Sequence, residues 1–212
     1  MTDTKYGMAD YEPADIVIYI QDKGVVLSEK SLVAYEPNTG EILAVGADAE
    51  RMLGKESEHV RVISPLRRGT VADYFVSVQL FTCLLEKAWG KKTFLKPSVA
   101  VCVPEDMTEV EKRALEEVMC QSRTGKGVII PIAVERFIAM AEIPGKLPPA
   151  YKKCRTIIGI TKNEPEKYVT EGLSWIIQYA GRNGVSAERV AELVRKISGE
   201  IKEQPQAVSA DF

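Results

Sequence analysis

The chain has 212 residues, of which 45% are hydrophobic and 27% charged, and its formal net charge at pH 7 is −2. This composition is typical of one globular domain or of two small lobes. It lacks the run of about 18 apolar residues that a membrane-spanning helix needs, and its near-neutral charge gives no basic surface for nucleic acid.

The first part of the chain predicts an antiparallel β-meander. Short apolar runs are separated by turn residues, and Asp22-Lys23-Gly24 and Pro37-Asn38-Thr39-Gly40 are typical of hairpin turns. A short helix and another strand follow. Strands are expected at Ile16–Ile20, Val25–Leu27, Ser31–Glu36, Glu41–Gly46 and Val60–Ser64, with a helix at Ala47–Leu53.

The middle of the chain changes to helical periodicity. A long helix is predicted from Val71 to its end at Gly90, and Thr108 with Glu111 forms a capping box that opens a second helix through Cys120. Buried strands are expected at Ser98–Val103 and Gly127–Ile132, and a helix at Val134–Ala141. The predicted inner faces are Tyr74, Phe75, Val78, Phe81, Leu85 and Ala88 on the first helix and Val110, Leu115, Val118 and Met119 on the second.

The last part begins with a proline-rich linker, Ile143–Lys153. A strand at Thr156–Ile160 and two helices at Gly172–Ala180 and Ala187–Ser198 are expected after it. This order of elements indicates an α/β fold with a mixed sheet and flanking helices.

Cysteine and histidine usage limits the possible chemistry. With His59 as the single histidine, a histidine-based catalytic triad or a multi-histidine metal site is not expected. The cysteines are not closely paired, which favours reduced residues in a cytoplasmic protein. They are Cys83, Cys102, Cys120 and Cys154.

Three stretches resemble the MreB family, the bacterial actins that organise cell-wall synthesis in rod-shaped cells. They read EILAVGADAERMLGK, VISPLRRGTVADYFV and KPSVAVCVPEDMTEVEKRAL, and the resemblance is strongest over Gly24–Pro144. It implies an actin-like (ribonuclease H-like) first lobe at residues 1–150, with a small subdomain inserted at about 30–67. Residues 154–203 would be a remnant of a truncated second lobe, without the third nucleotide-binding segment, and 204–212 a flexible tail.

The resemblance places the family's first phosphate-binding turn at the start of the first strand. Asp10 falls on the family's aspartate that works near the metal, so it would be the metal ligand if there is one. Glu12 and Pro13 stand where the family has Gly-Thr. Glutamate adds negative charge and proline lacks an N–H, and two like charges about 4 Å apart repel by about 4 kcal/mol at an effective dielectric of 20. Each change acts against a triphosphate.

The second phosphate turn is altered in the same way. The family's glycine triplet becomes Thr161-Lys162-Asn163, followed by another Glu-Pro pair. The two altered turns together predict that ATP and Mg are not bound. The alternative is an ATP-binding filament protein in which Glu135, at the position of the family's water-positioning glutamate, remains catalytic. From the residues alone, Glu135 is a helix-start carboxylate favoured by the helix dipole.

Two further features follow from the resemblance. Phe94 and Leu95, flanked by Lys91, Lys92 and Lys96, match a loop that contacts the inner membrane face in the family; alternatively, Phe94 packs under the edge of the sheet. Arg68 stands where the family usually has an aspartate, and we hypothesise that it pairs with Asp10 or Glu12 in place of a metal.

The predicted function is a cytoplasmic MreB-like cell-shape protein that acts as a binding or regulatory module rather than as an enzyme. The candidate partners are an MreB-type filament, a protein of the elongation complex, a second copy of the chain or the membrane; nucleic acid is not among them. The alternative is an ATP-binding actin-like filament protein with altered phosphate turns.

Overall fold

A computed structural model describes residues 13–21, 23–90, 97–122, 124–142, 149–161, 174 and 176–202. Five strands form a mixed sheet in the order β2-β1-β10-β8-β9. β1 is antiparallel to both of its neighbours, whereas β10, β8 and β9 are parallel. The strands are β1 (Asp15–Ile20), β2 (Gly24–Lys30), β8 (Ser98–Cys102), β9 (Lys126–Ile130) and β10 (Thr156–Thr161).

Helices cover both faces of this sheet. On one face, α2 (Tyr74–Trp89) and α3 (Glu109–Gln121) pack on side chains such as Ile16 and Val101. On the other face, α4 (Val134–Glu142) packs on side chains such as Tyr19 and Ile157, and Ile176 of a helical stretch at 176–182 (α5) joins the same cluster. α6 (Ala187–Lys202) also contacts β2. The expected α/β fold with a mixed sheet and flanking helices is confirmed.

A second sheet of three strands has its own small core. Its order is β4-β3-β5, and Leu32, Ala34, Ala49 and Val62 form its buried cluster. Glu29 of β2 connects it to the large sheet, because its carboxylate accepts the Ala47 amide at 2.6 Å. The elements are β3 (Val33–Tyr35), β4 (Ile42–Val45), β5 (Arg61–Ile63) and the short helix α1 (Ala47–Glu50).

The predicted antiparallel meander is therefore wrong at one point, between β2 and β3. β1 and β2 pair in the large sheet, but β3 pairs with β4 and β5 instead of with β2. The chain leaves the large sheet at Ser31, whose amide donates to the Ala14 carbonyl and whose buried side chain also contacts the start of β1. Strand propensity is the same on both sides of that residue, so it does not show which sheet a strand joins.

The start of α2 differs from the prediction because residues 66–71 form a hairpin. β6 (Leu66–Arg67) pairs with β7 (Thr70–Val71), and α2 begins only at Tyr74, with the Asp73 carboxylate accepting the Val76 amide as its N-cap. The helix buries Ser77, Leu80, Phe81, Leu84 and Leu85. Phe75, predicted to face inward, is 79% exposed.

α3 begins with the predicted capping box, in which Thr108 and Glu111 exchange hydrogen bonds. Leu115, Val118 and Met119 are buried as predicted, but Val110 is 78% exposed. Val110 lies five residues before Leu115, a rotation of about 140° around a helix of 3.6 residues per turn, so it cannot share that face.

Candidate functional site

The described residues of the two predicted phosphate turns, Pro13 and Thr161, lie at one edge of the large sheet. β10, β8 and β9 are parallel, so their carboxyl ends lie together, and the antiparallel β1 begins at the same edge. Asp15 pairs directly with Thr161 across β1 and β10. In open α/β sheets, ligands bind beyond the carboxyl ends of the strands. The strand register therefore brings the ends of both turns, Pro13 and Thr161, to the expected location of a ligand.

The backbone at the start of β1 is held by the protein itself. Pro13 forms an isolated bridge with Arg67, and the Ala14 amide donates to the Ser31 hydroxyl at 2.7 Å and to the Leu66 carbonyl at 3.3 Å. The Ser31 hydroxyl also lies 3.0 Å from the Leu66 carbonyl and 3.2 Å from the Ser64 hydroxyl. Proline has no N–H, and the Ala14 amide is already bonded to Ser31 and Leu66. Neither residue therefore offers a backbone donor to a ligand at this edge.

The side chains at Asp15 and Thr161 also have internal partners. The Asp15 carboxylate forms an ion pair with Lys30 at 2.7 Å, with both side chains about three-quarters buried. The Thr161 hydroxyl donates to the Asp15 carbonyl at 3.5 Å. Sequence reasoning missed Lys30 and Ser31, because their role depends on the register between β1 and β2. The one feature of the sequence that could have indicated Lys30 and Ser31 is that both are polar residues at the end of a predicted strand region.

The first turn of α4 lies directly against β10. A Cβ atom at Gly159 would be 2.5 Å from the Val134 Cβ, so only a glycine lets the helix approach this closely. This contact places the backbone of Glu135, the next residue, at the same edge of the sheet. Arg136 follows and donates to the Glu105 carboxylate at 2.9 Å, beyond the end of β8.

The hairpin of β6 and β7 lies over the end of β10. Its turn has left-handed backbone at both Arg68 (φ 50°) and Gly69 (φ 86°), the pattern of a type I′ turn. A Cβ atom added to Gly69 would lie 3.5 Å from the Ile160 Cγ2 and 3.7 Å from the Pro104 Cγ, so the turn is in contact range of both residues. The hairpin thus brings Arg67 and Arg68 beside the candidate site.

Several predicted residues lie outside the described part of the chain: Asp10, Glu12, Phe94 and Leu95. The pairing of Arg68 with Asp10 or Glu12 therefore stays a prediction, as does the contact of residues 91–96 with a membrane. Within the described ranges, no group of three or more His, Cys, Asp or Glu side chains is arranged to hold a metal ion.

None of the helices in the described ranges combines the length and the hydropathy needed to cross a membrane.

Comparison with known proteins relates the chain to one family. The family model described as MreB/Mbl protein matches residues 7–162. The chain is 37% identical over 108 residues to the cell shape-determining protein Mbl of Bacillus subtilis, covering 51% of this chain and 32% of that protein. It is 32% identical over 208 residues to the cell shape-determining protein MreB of Pasteurella multocida, covering 93% of this chain and 57% of that protein.

A solved structure shares the fold. The crystal structure of MreB5 of Spiroplasma citri bound to ADP aligns with a TM-score of 0.51 and 27% identity, over 62% of this chain and 39% of that one. The chain spans between about a third and just under three-fifths of the length of these relatives.

Proposed function

Since this chain belongs to the MreB/Mbl family, we propose that it acts in cell-shape determination as a cytoplasmic protein-binding module that works without ATP. It would contact an MreB-type filament, a protein of the elongation complex or a second copy of itself. The family match over residues 7–162 supports the cytoskeletal role, and the relatives are named as cell shape-determining proteins.

One observation supports the proposal that the protein works without ATP. A phosphate-binding turn works by pointing backbone N–H groups at the phosphates. Here Pro13 has no such group, and the Ala14 amide is bound by Ser31 and Leu66 inside the protein. A triphosphate at this edge would also meet the Asp15 carboxylate, although Lys30 compensates its charge.

A second candidate, an ATP-binding actin-like filament protein, is favoured by a different observation. Val134, in the first turn of α4 and next to Glu135, packs on Gly159 of β10, two residues before Thr161, and this alternative needs Glu135 near that end of β10. The similar MreB5 structure contains ADP. In this case Asp10 would serve the Mg ion and Glu135 the attacking water.

Calorimetric titration with Mg-ATP distinguishes the nucleotide-independent binding module from the ATP-binding filament protein. We expect no saturable binding at millimolar concentrations of nucleotide. A Kd of 1 mM corresponds to a binding free energy of about 4 kcal/mol. Tighter binding would overturn the proposal in favour of the ATP-binding filament protein, and a Glu135→Gln variant that binds but no longer hydrolyses ATP would assign Glu135 to the attacking water.

A variant that restores a glycine-type turn gives the matched control. Replacing Glu12 with Gly and Pro13 with Thr supplies the residues that the family has there. If the turn chemistry is what prevents binding, this double variant should bind Mg-ATP more tightly than the native chain in the same titration.

A further inference from the structure

The amino end of the large sheet, opposite to the edge with Pro13 and Thr161, carries a cluster of exposed cations. β10, β8 and β9 begin there, and β1 ends there, because Ile20 pairs with Thr156. Four basic residues at or beside the start of β10 are exposed, and we call them the amino-edge patch: Lys23, Lys152, Lys153 and Arg155.

Main-chain hydrogen bonds connect the two parts of the patch. The Gln21 amide donates to the Arg155 carbonyl at 2.8 Å, and the Lys23 amide donates to the Ile20 carbonyl at 3.0 Å. The turn that contains Lys23 is therefore held beside the start of β10. Because neighbouring strands lie about 5 Å apart, the cations of this turn and of residues 152–155 can contact one extended peptide.

The two adjacent lysines of the patch are held in place by the residues on either side of them. The Tyr151 ring packs edge-on against buried Phe137, with centroids 5.5 Å apart, and the amide of buried Cys154 donates to the Tyr151 carbonyl at 2.9 Å. Lys152 and Lys153 lie between these two anchored residues and are exposed. The lysines of the patch form no ion pair with another described residue, so their charges are available to a partner.

Carboxylates near this edge are few. Glu86, near the end of α2, is half-buried. Asp22 and Glu142 adjoin the edge in the sequence, at the β1–β2 turn and at the last residue of α4. α6, which also contacts β2, has Glu188 in its first turn besides an arginine–glutamate pair that neutralises itself. These four carboxylates are the acidic groups that could weaken the positive charge of the patch.

The sequences that lead into β8 and β10 offset these carboxylates. Residues 91–96 contain three lysines and residues 143–148 contain one, and neither segment contains a carboxylate. Both segments lie outside the described residues and are not part of the patch. Because the whole chain has a net charge of −2, the positive charge belongs to this edge and is not a general property of the protein.

The segments that carry the patch have no exposed large apolar side chain to insert into a bilayer. Those in the described ranges are on other elements, at Leu43, Phe75, Val110 and Ile177. A cation near an anionic lipid surface contributes about 1 kcal/mol, so the patch alone would hold the protein there only weakly. An acidic polypeptide can instead place one carboxylate against each cation.

We propose that the amino-edge patch binds an acidic segment of a partner protein, with closely spaced glutamates or aspartates against its lysines and Arg155. This assigns a partner chemistry to the protein-binding role proposed above and rests on that role. It does not depend on whether nucleotide binds, because the patch and the edge with Pro13 and Thr161 lie at opposite ends of β10.

Fluorescence anisotropy with two labelled peptides tests the proposal in the full chain without nucleotide. One probe alternates glutamate and glycine, and the other has lysine at every glutamate position. We expect saturable binding of the glutamate probe, which weakens as salt is raised because the cations are exposed, and no binding of the lysine probe. Absence of glutamate-probe binding, or equal binding of both probes, overturns the proposal.

Matched charge reversals locate the binding. Lys152→Glu combined with Lys153→Glu should weaken binding of the glutamate probe by about tenfold or more. The control combines Lys55→Glu with Arg113→Glu, which reverses two exposed cations outside the patch and changes the net charge equally; it should change the affinity by less than about threefold. Equal weakening by the two double variants means that net charge attracts the probe, and overturns the proposal. Circular dichroism melts verify that both variants are folded.

Two sedimentation measurements identify other occupants. If the chain sediments with vesicles that contain phosphatidylserine but does not bind the glutamate probe, the patch faces a lipid surface and the proposal is wrong. If the native chain self-associates and Lys152→Glu with Lys153→Glu abolishes this, the occupant is a second copy and the proposal is also wrong. The Mg-ATP titration is independent of these measurements, so the acidic partner and the nucleotide-independent function can each fail alone.

Discussion

The buried Ser31 hydroxyl accepts the Ala14 amide at 2.7 Å, joining the start of β1 to the point where the chain leaves the large sheet. This single side chain also contacts the carbonyl of Leu66, the first residue of the hairpin over the candidate site, and the hydroxyl of Ser64, which precedes that hairpin. The backbone at Ala14, just after the first predicted phosphate turn, is thus held by a polar contact between residues 17 apart in the sequence.

Ser31→Ala should destabilise the protein by about 1–3 kcal/mol, because it leaves a buried amide with a weaker partner. In a chain of this size, that corresponds to a fall in melting temperature of about 2–4 °C for each kcal/mol. Ser28→Ala, on the neighbouring strand and only partly buried, is the control and should change stability by less than about 0.5 kcal/mol. Equal effects would contradict the role assigned to Ser31.

Gly159→Ala should destabilise by about 1–3 kcal/mol, because the new methyl group overlaps Val134 and pushes α4 away from β10. Gly181→Ala is the matched control. Nothing lies within 4 Å of a Cβ atom at that helical position, so this change should stabilise by up to about 1 kcal/mol. Urea denaturation of both variants measures the difference, and a neutral Gly159→Ala would show that the helix is not packed this closely.

Arg68→Asn should raise the free energy of unfolding by about 0.5–1 kcal/mol. Arg68 has a φ of 50°, a left-handed conformation that asparagine adopts more readily than arginine and that the type I′ turn requires. Arg67→Asn is the comparison, since Arg67 does not have positive φ and should gain nothing. If urea midpoints show that Arg68→Asn lowers stability instead, the arginine contributes contacts that outweigh its backbone strain.

Stability should fall as the pH is lowered from the ordinary Glu36 pKa of 4.5 toward its folded value of about 2. The folded pKa is depressed, so this contribution is complete above 4.5 and is lost as the folded carboxylate takes up a proton. Glu36→Gln removes the titrating group and should flatten this part of the curve. Denaturant titrations across that range measure it; parallel curves for the two proteins would exclude Glu36 as the cause.

Local patterns predicted most strands and helices, because alternation, capping boxes and glycine turns act over a few residues. They did not show which face of α2 is buried. Apolar residues occupy nearly every turn of that helix, and only packing against the sheet selects Leu80 and Leu84 over Phe75.

The candidate site was predictable only in part. A resemblance located Pro13, Thr161 and Glu135, and strand register explains how the first two come together. The partners of the Ala14 amide and of the Asp15 carboxylate are set by contacts across strands, and local sequence patterns do not show such contacts.

One face of the three-stranded sheet has its own buried cluster, while Val33 and Val45 on its other face join the core of the large sheet. Substitutions on its outward surface therefore need not disturb the strands of the large sheet that end beside Pro13 and Thr161. Over evolutionary time, such an appended unit can acquire new recognition properties while the scaffold beneath it is inherited unchanged.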